Sequence, residues 1–135
     1  MITAVDTSAI LAIFKQEPRA EAWLLLLAAA ARSGPLVISE VVFAELAAFF
    51  VRAKDLTYRL DSLAIELLPS SKTTLFEAGQ VFSSYRQAGG VRTTMVPDFL
   101  IGAHALTQAQ QLASADRGYL QKHFSGLKVV SVGER

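Results

Sequence analysis

Short apolar runs, each followed by a longer segment with helix signals, are the feature that most constrains the fold of this chain. Residues 2–5 form the first run, ahead of a predicted helix over residues 9–14. Residues 36–38 form the second, and Ser39 is then placed to cap a predicted helix that reaches about residue 53. Strands that alternate with helices form a mostly parallel sheet covered by helices on both faces. The sequence therefore predicts an α/β fold.

The rest of the chain continues this alternation. Further helices are predicted over residues 19–32, 56–66 and 72–87, and from Pro97 to about residue 111. Short strands are predicted at residues 67–69, 112–114 and 128–132. In sheets of this kind, ligands bind at the carboxyl ends of the strands, near the point where the strand order switches. Functional residues are therefore expected at that edge.

Length and composition limit the domain count and the available chemistry. The chain has 135 residues, 52% hydrophobic and 19% charged, which predicts one folded domain spanning residues 1–135. It has no cysteine, so disulfides, thiolate zinc sites and cysteine nucleophiles are excluded. Any bound metal must use oxygen or imidazole ligands.

The N-terminal region lacks the features of a membrane-spanning or secreted chain. The uncharged apolar stretch over residues 22–31 is shorter than the roughly 20 residues that span a bilayer. No basic segment opens the chain, and Asp6 interrupts what would be the apolar core of a signal peptide. We expect a soluble, cytoplasmic protein that does not associate with membranes.

Two aspartates follow predicted strands. Asp6 comes directly after the first strand, and Asp116 closely follows the strand at residues 112–114. Each has an ordinary structural explanation, as a helix cap or as part of an Asx turn. Both nevertheless fall at the strand-end edge where a ligand is expected.

A third aspartate, Asp98, lies in the first turn of the helix that begins at Pro97. A negative charge there is favoured by the helix dipole, which is a sufficient structural reason for it. On a helical wheel, however, Asp98 shares a stripe with small and apolar residues, among them Gly102 and Ala105, that is expected to face the sheet. Structural and functional roles are both open at this position.

Glu45 is the only charged residue between Val41 and Val51. The residues three and four positions away in its helix are apolar, so no Lys or Arg can pair with it locally. A partly buried, unpaired carboxylate is costly, and metal coordination is one way to offset that cost. The alternative is a glutamate that reaches water at the edge of its helix.

Gathered at one place, these four carboxylates would repel one another and require a cation. An all-oxygen site of this kind suits Mg²⁺, with Mn²⁺ as a substitute, and one or two ions are compatible with four carboxylates. Such a site can activate water against a phosphodiester, which is nuclease chemistry. The formal net charge is only +1, but 13 basic residues exceed the acids outside the cluster by five. A basic frame around an acidic site suits a phosphate polymer.

The sequence segments around these four residues resemble the PIN-domain family, and more narrowly the VapC-type toxins of toxin–antitoxin pairs. The segments are Val5-Asp6-Thr7-Ser8, Phe43-Ala44-Glu45-Leu46, the run from Pro97 to Ala105, and Ser114-Ala115-Asp116-Arg117-Gly118-Tyr119. The resemblance implies a three-layer α/β/α domain and Mg²⁺- or Mn²⁺-dependent cleavage of RNA. It also implies a homodimer and a VapB-like antitoxin whose C-terminal segment blocks each site.

Carried over by position, the resemblance makes Asp6, Glu45, Asp98 and Asp116 the catalytic and metal-binding quartet. Ser8 and Ser114 match the small hydroxyl positions that hold the carboxylates or water. Many relatives carry another acidic or amide residue shortly after the last Asp, where this chain has Gly118 and Tyr119. Arg52 and Arg117 are candidates for contact with substrate phosphate.

Two non-catalytic interpretations compete with the nuclease. One is a metal-binding phospho-receiver module, which needs paired acids after the first strand and a Lys at a late strand end. This chain offers one acid at the first place and no convincing Lys at the second. The other is a PIN-like scaffold that binds RNA or a partner without cutting it, which would be expected to have an incomplete quartet.

Overall fold

The computed structural model describes residues 1–92, 95–116 and 118–133. Within these ranges the chain forms five strands and seven helices. In chain order they are β1 (Thr3–Val5), α1 (Thr7–Phe14), α2 (Ala20–Ser33), β2 (Leu36–Ile38), α3 (Glu40–Ala47), α4 (Ala53–Ser62), β3 (Ile65–Leu67), α5 (Lys72–Gln87), α6 (Pro97–Gln108), β4 (Gln111–Ala113), α7 (Tyr119–His123) and β5 (Val129–Val130).

The five strands form one parallel sheet in the order β3-β2-β1-β4-β5. This is a three-layer α/β/α arrangement, so the predicted fold class is confirmed. The chain starts at the centre of the sheet, winds outward through β2 and β3, and returns to the other side of β1 as β4. The strand order therefore switches between β1 and β4, where Val5 pairs with Ala113. Asp6 and Asp116 follow these two strands.

Capping residues fix the starts of several helices near the strand ends. The Ser39 side chain accepts a hydrogen bond from the Val42 amide at the start of α3, as predicted. Pro97 is the first residue of α6, where its missing N–H costs nothing. Helix α5 covers residues 72–87, the predicted range.

The helix predicted to reach residue 53 is shorter than expected, which is a correction to the sequence interpretation. Helix α3 ends at Ala47, and the amides of Phe49 and Phe50 bond to carbonyls only three residues back. Phe49 is consequently 56% exposed and does not share the buried stripe of Val42 and Leu46. Helix α4 begins at Ala53, earlier than predicted.

The later strands are also shifted from their predicted positions. Strand β3 ends at Leu67, although the Leu68 amide still bonds to the Ile38 carbonyl beyond it. Helix α6 ends at Gln108 because the Gln110 amide bonds to the Ile2 carbonyl, which brings the chain back to the sheet early. Helix α7 was not predicted from the sequence.

Helix α6 packs tightly in the core beside β1 and β4. Its residues Phe99, Ile101, Gly102, Ala103 and Ala105 are buried, and a Cβ on Gly102 would lie 2.5 Å from the Phe124 ring. Gly102 therefore lets the Phe124 ring pack directly against this helix. Among the described residues, no helix has both the length and the apolar character needed to cross a lipid bilayer.

Candidate carboxylate site

A cleft of about 440 Å³ opens at the carboxyl edge of the sheet. Glu45, Asp98 and Asp116 line it, and we call it the carboxylate cleft. Its other lining residues are Tyr85, Arg92, Val96, Pro97 and Tyr119. Residues from α3, α6 and the segment after β4 thus meet at one place, next to the switch in strand order.

Asp6 is held by three hydrogen bonds at the end of β1. Its Oδ1 accepts from the Thr7 amide at 2.9 Å, which caps α1 and confirms the structural interpretation of this residue. Its Oδ2 accepts from the hydroxyls of Ser8 and Ser114, each at 2.8 Å. Capping therefore occupies only one of the two carboxylate oxygens.

Ser8 and Ser114 link the chain segments that carry Asp6 and Asp116. Besides donating to Asp6, the Ser114 hydroxyl accepts from the Asp116 amide at 2.9 Å. The Ser8 hydroxyl likewise accepts from the Ala115 amide at 3.1 Å. Ser114 is fully buried, so its side chain is fixed by these contacts. The two serines hold the loops after β1 and β4 in register.

Asp116 also organises the short helix that follows it. Its Oδ2 accepts from the amides of Gly118 and Leu120, at 3.1 and 3.0 Å. These amides lie at the start of α7, so the predicted turn or cap role is present here too. Within the described ranges, Oδ1 of Asp116 accepts no hydrogen bond and is free to face the cleft.

Glu45 is partly buried, the condition under which its carboxylate was expected to need a partner. Its Oε1 accepts a short hydrogen bond from the Thr7 hydroxyl, which links α3 to the start of α1. Sequence reasoning did not assign a role to Thr7. The signal was available, because Thr7 directly follows Asp6 and so lies at the same strand end.

Asp98 keeps more than a third of its surface accessible, although it was expected at the end of a buried face. Its pKa is nevertheless raised, first by the protein atoms that crowd it in the cleft and then by the charge of Asp6. The charges of Asp116 and Glu45 raise this pKa further, and Arg92 lowers it. All four carboxylates therefore lie near enough to interact electrostatically.

The carboxylates retain acceptor capacity after their hydrogen bonds are satisfied. Each ionised carboxylate offers about four lone-pair sites. Within the described part of the chain, Asp6 uses three, Asp116 two and Glu45 one, and Asp98 accepts none. Among the described residues, no ion pair joins a basic side chain to the quartet, although the charge of Arg92 acts on Asp98. This combination of clustered charge and free oxygen atoms is suited to a cation.

The donor chemistry fits a hard divalent cation, because every available ligand is a carboxylate oxygen. Among residues 1–92, 95–116 and 118–133, no three His, Asp or Glu side chains are close enough to ligate one ion together. Mg²⁺ commonly takes only one or two carboxylates from a protein and retains several waters. The arrangement is therefore compatible with a hydrated ion.

Of the two arginines considered for phosphate contact, Arg52 lies among the described residues and Arg117 does not. A helix reaching residue 53 would carry Arg52 two turns beyond Glu45 on the same face. That placement is wrong, because α3 ends at Ala47. Arg52 lies just before α4, and its guanidinium bonds to Asp55 at 3.3 Å. Arg117 lies outside the described residues. For both arginines, contact with substrate stays a prediction.

Three cleft residues were not assigned a functional role from the sequence: Tyr85, Arg92 and Tyr119. The Arg92 amide donates to the Tyr85 hydroxyl at 3.2 Å, which ties the loop before α6 to α5. Partial burial raises the pKa of the Tyr119 hydroxyl, and the charge of Asp98 raises it further. No local pattern marks these residues, since α5, the loop and α7 meet only in the folded chain.

The family model of the PIN domain matches residues 3–125 of this chain. Among proteins with curated descriptions, none is significantly similar to it in sequence.

Solved structures share the fold along nearly the whole chain. VapBC2 from Rickettsia felis, bound to a DNA fragment from its promoter, has 20% sequence identity and a TM-score of 0.76, over 98% of this chain and 100% of that one. VapBC-1 from nontypeable Haemophilus influenzae has 21% identity and a TM-score of 0.70, over 97% and 98%. A toxin–antitoxin complex from Klebsiella pneumoniae has 18% identity and a TM-score of 0.61, over 95% of each chain.

Proposed function

The chain belongs to the PIN-domain family, and we propose that it is a Mg²⁺- or Mn²⁺-dependent endoribonuclease, the toxin of a toxin–antitoxin pair. The observation that carries the proposal is the meeting of Glu45, Asp98 and Asp116 in one cleft, with Asp6 tied to Asp116 through the Ser114 hydroxyl. Burial raises the pKa of Asp98 first, and the charges of Asp6, Asp116 and Glu45, from three other segments of the chain, raise it further. A protein that gathers like charges in one cleft has a use for a cation at that place.

In this proposal, Asp6, Glu45, Asp98 and Asp116 hold the metal, with at most two of them directly on one ion and the others acting through its bound waters, and either one or two ions per site are compatible with the free oxygen atoms. When bound, the ion would polarise water and neutralise charge on the scissile phosphate. The reaction is hydrolysis: a water oxygen forms a bond to phosphorus, one P–O bond of the RNA backbone breaks, and the departing oxygen takes a proton. Ser8 and Ser114 position Asp6 and Asp116 for this step through the hydrogen bonds already described.

The basic side chains around the cleft are proposed to receive the RNA backbone. Arg92 lines the cleft beside Asp98 and Asp116. Arg52 and Arg117 are further candidates for phosphate contact. An arginine guanidinium can bind a phosphate through two parallel hydrogen bonds, which suits it to this role.

The proposed partners are a VapB-like antitoxin and a second copy of this chain. The R. felis and H. influenzae structures contain VapBC proteins, and the K. pneumoniae structure is a toxin–antitoxin complex. We propose by analogy that an antitoxin segment covers the carboxylate cleft and that the toxin acts as a homodimer in the cytoplasm.

The proposal is tested by cleavage of a pool of single-stranded RNA and of total bacterial RNA by the purified protein in Mg²⁺. Asp98→Asn should reduce the cleavage rate by about 10²–10⁴-fold, because it removes a charged ligand and leaves the side-chain size unchanged. The control is Asp61→Asn, since Asp61 is an exposed aspartate of α4 outside the cleft. EDTA should stop cleavage, and added Mn²⁺ should restore it.

Full activity of Asp98→Asn, or full activity in excess EDTA, would contradict the proposal. Binding of RNA by the parent protein without any cleavage would instead favour the non-catalytic PIN-like scaffold.

A further inference from the structure

A second cavity, of about 650 Å³, lies between the C-terminal half of α5 and helix α7. Tyr85 and Tyr119 line both this cavity and the carboxylate cleft, so the two spaces share a wall. We call the second cavity the aromatic pocket. Its volume lies within the range of small-molecule binding sites. A polymer bound in the carboxylate cleft can therefore place a neighbouring chemical group in the aromatic pocket.

The aromatic wall of this pocket is held in place from behind. The Tyr119 ring lies parallel to the Phe99 ring, with an interplanar angle of 6° and centroids 6.4 Å apart. His123 meets the Tyr119 ring edge-on at 4.8 Å, and Phe99 is fully buried. The Tyr119 side chain is thus supported by the core, yet 41% of the residue remains exposed. A ring fixed in this way loses little conformational entropy when a ligand stacks on it.

Tyr85 is fixed by a different set of contacts. Its ring packs edge-on against Phe99, with centroids 5.3 Å apart. A Cβ on Gly90 would lie 2.4 Å from the Tyr85 ring, so the glycine lets the loop backbone pack directly against it. The Arg92 amide donates to the Tyr85 hydroxyl from the same loop. The loop and α5 therefore form a preformed boundary between the cleft and the pocket.

The remaining lining of the pocket combines two opposite charges with neutral hydrogen-bonding groups. Lys122 on α7 supplies a positive charge and Glu77 on α5 a negative one, and Gln80 and Ser84 on α5 supply an amide and a hydroxyl. Proteins that bind single-stranded nucleic acid combine aromatic stacking surfaces with basic side chains that contact the backbone. Amide and hydroxyl side chains can read the edge of an unpaired base.

We propose that the aromatic pocket binds one nucleobase of single-stranded RNA, next to the phosphodiester held at the carboxylates. This inference rests on the proposed nuclease function and names the form of its substrate. The base stacks against Tyr119, and Lys122 contacts a neighbouring phosphate. A base inside a duplex is stacked on both sides and cannot enter, so the pocket selects single-stranded RNA.

Binding of a fluorescein-labelled single-stranded RNA of mixed sequence, followed by fluorescence anisotropy, tests this inference. The Asp98→Asn protein in Mg²⁺ is the background, because the RNA should then stay intact during the measurement. Adding Tyr119→Ala should weaken binding by about 5- to 150-fold, the usual cost of losing one stacked base. Tyr119→Phe keeps the ring and should bind like the background. Tyr58→Ala removes an exposed tyrosine of α4 outside the pocket and is the control.

Lys122→Gln provides a second measurement with a different readout. It should lower the slope of log affinity against log salt concentration by about 0.7, because one phosphate contact to a single strand is lost. The same RNA annealed to its complement should be insensitive to Tyr119→Ala. Thermal unfolding of Tyr119→Ala shows whether its fold is retained.

Two results would overturn this inference in distinguishable ways. If the parent protein cuts RNA while a folded Tyr119→Ala variant binds it as tightly as the background, the nuclease stands and the base pocket is wrong. The pocket would then be available to a protein partner. If the parent cuts no RNA and the background binds none, the proposed function fails together with the pocket.

Discussion

Asp6 shows how one residue can have both a structural and a chemical role. One of its oxygens caps α1, while the other accepts hydrogen bonds from Ser8 and Ser114. Asp116 divides its two oxygens in a similar way, with one of them holding the start of α7. The structural interpretation of each aspartate is therefore correct and does not exclude a functional one.

The raised pKa of Asp98 leads to a prediction about stability in metal-free buffer. The folded protein binds the Asp98 proton more tightly than the unfolded chain does, so ionisation above the folded pKa costs stability. Asp98→Asn should therefore raise the free energy of unfolding at pH 7. Solvent screening should keep this gain below about 1 kcal/mol, since Asp98 is largely exposed. The gain should disappear as the pH falls toward 3.8, the ordinary pKa of the group.

Urea denaturation with EDTA present, at several pH values, measures this effect. Asp55→Asn is the matched control and should lose about 0.3–1 kcal/mol at pH 7, because Asp55 interacts favourably with the start of its helix and with Arg52. A loss of stability in both variants would contradict this prediction and show that the helix dipole outweighs the neighbouring carboxylates at Asp98.

For single residues, the sequence indicated a functional position where a residue follows a strand or lacks a local partner. The capping position of Asp6 was predicted from the first signal, and the structure confirms it. The second signal singled out Glu45, which is partly buried. The positions of Tyr85, Arg92 and Tyr119 at the cleft were not predicted, because each depends on contacts between segments far apart in the chain.

Among the helices, α6 depends most clearly on its small residues. A Cβ on Gly102 would lie 2.5 Å from the Phe124 ring, and Phe124 is itself buried. The close approach of α6 to its neighbours positions Asp98 at the cleft, so helix packing and site geometry are linked.

Gly102→Ala should therefore destabilise the protein by about 1–3 kcal/mol, the usual cost of overpacking a core. Gly79→Ala is its control, because Gly79 also lies within a helix but a Cβ added there would meet no atom within 4 Å. That substitution should stabilise by about 0.4–1 kcal/mol, since alanine restricts the unfolded chain and favours helix. Chemical denaturation measures the free energy of unfolding of both variants. An equal change in the two would contradict the packing described for α6.

The existence and order of the longer helices and of the strands were predictable, while several boundaries were not. Helix α5 was predicted over its full range because Gly89 and Gly90 mark its end, and the structure adds a serine cap, Ser71, at its start. The end of α3 at Ala47 and the end of α6 at Gln108 are determined by turns and by a bond to β1, and the local pattern carries no signal for either.

For the molecule as a whole, the strand order accounts for the site. Strands β1 and β4 lie side by side although Val5 and Ala113 are far apart in sequence, and the switch point between them brings Asp6 close to Asp116. Glu45 and Asp98 reach the same edge from α3 and α6. The parallel α/β class was predictable from the alternation of elements. The sheet order brings the segments that carry these carboxylates to one edge, and no signal in the sequence predicted it; the grouping of the four residues was expected from the resemblance to a known family.

The central claim is that these four carboxylates form one cation site. The most direct measurement is a titration with substoichiometric Mn²⁺ followed by NMR, because the paramagnetic ion broadens the signals of nearby nuclei. The account predicts that the amide signals around Asp6, Glu45, Asp98 and Asp116 broaden first and together, and that Asp98→Asn weakens this effect. Broadening centred on other surface acids, such as Asp61 or Glu66, with these four regions unaffected, would contradict it.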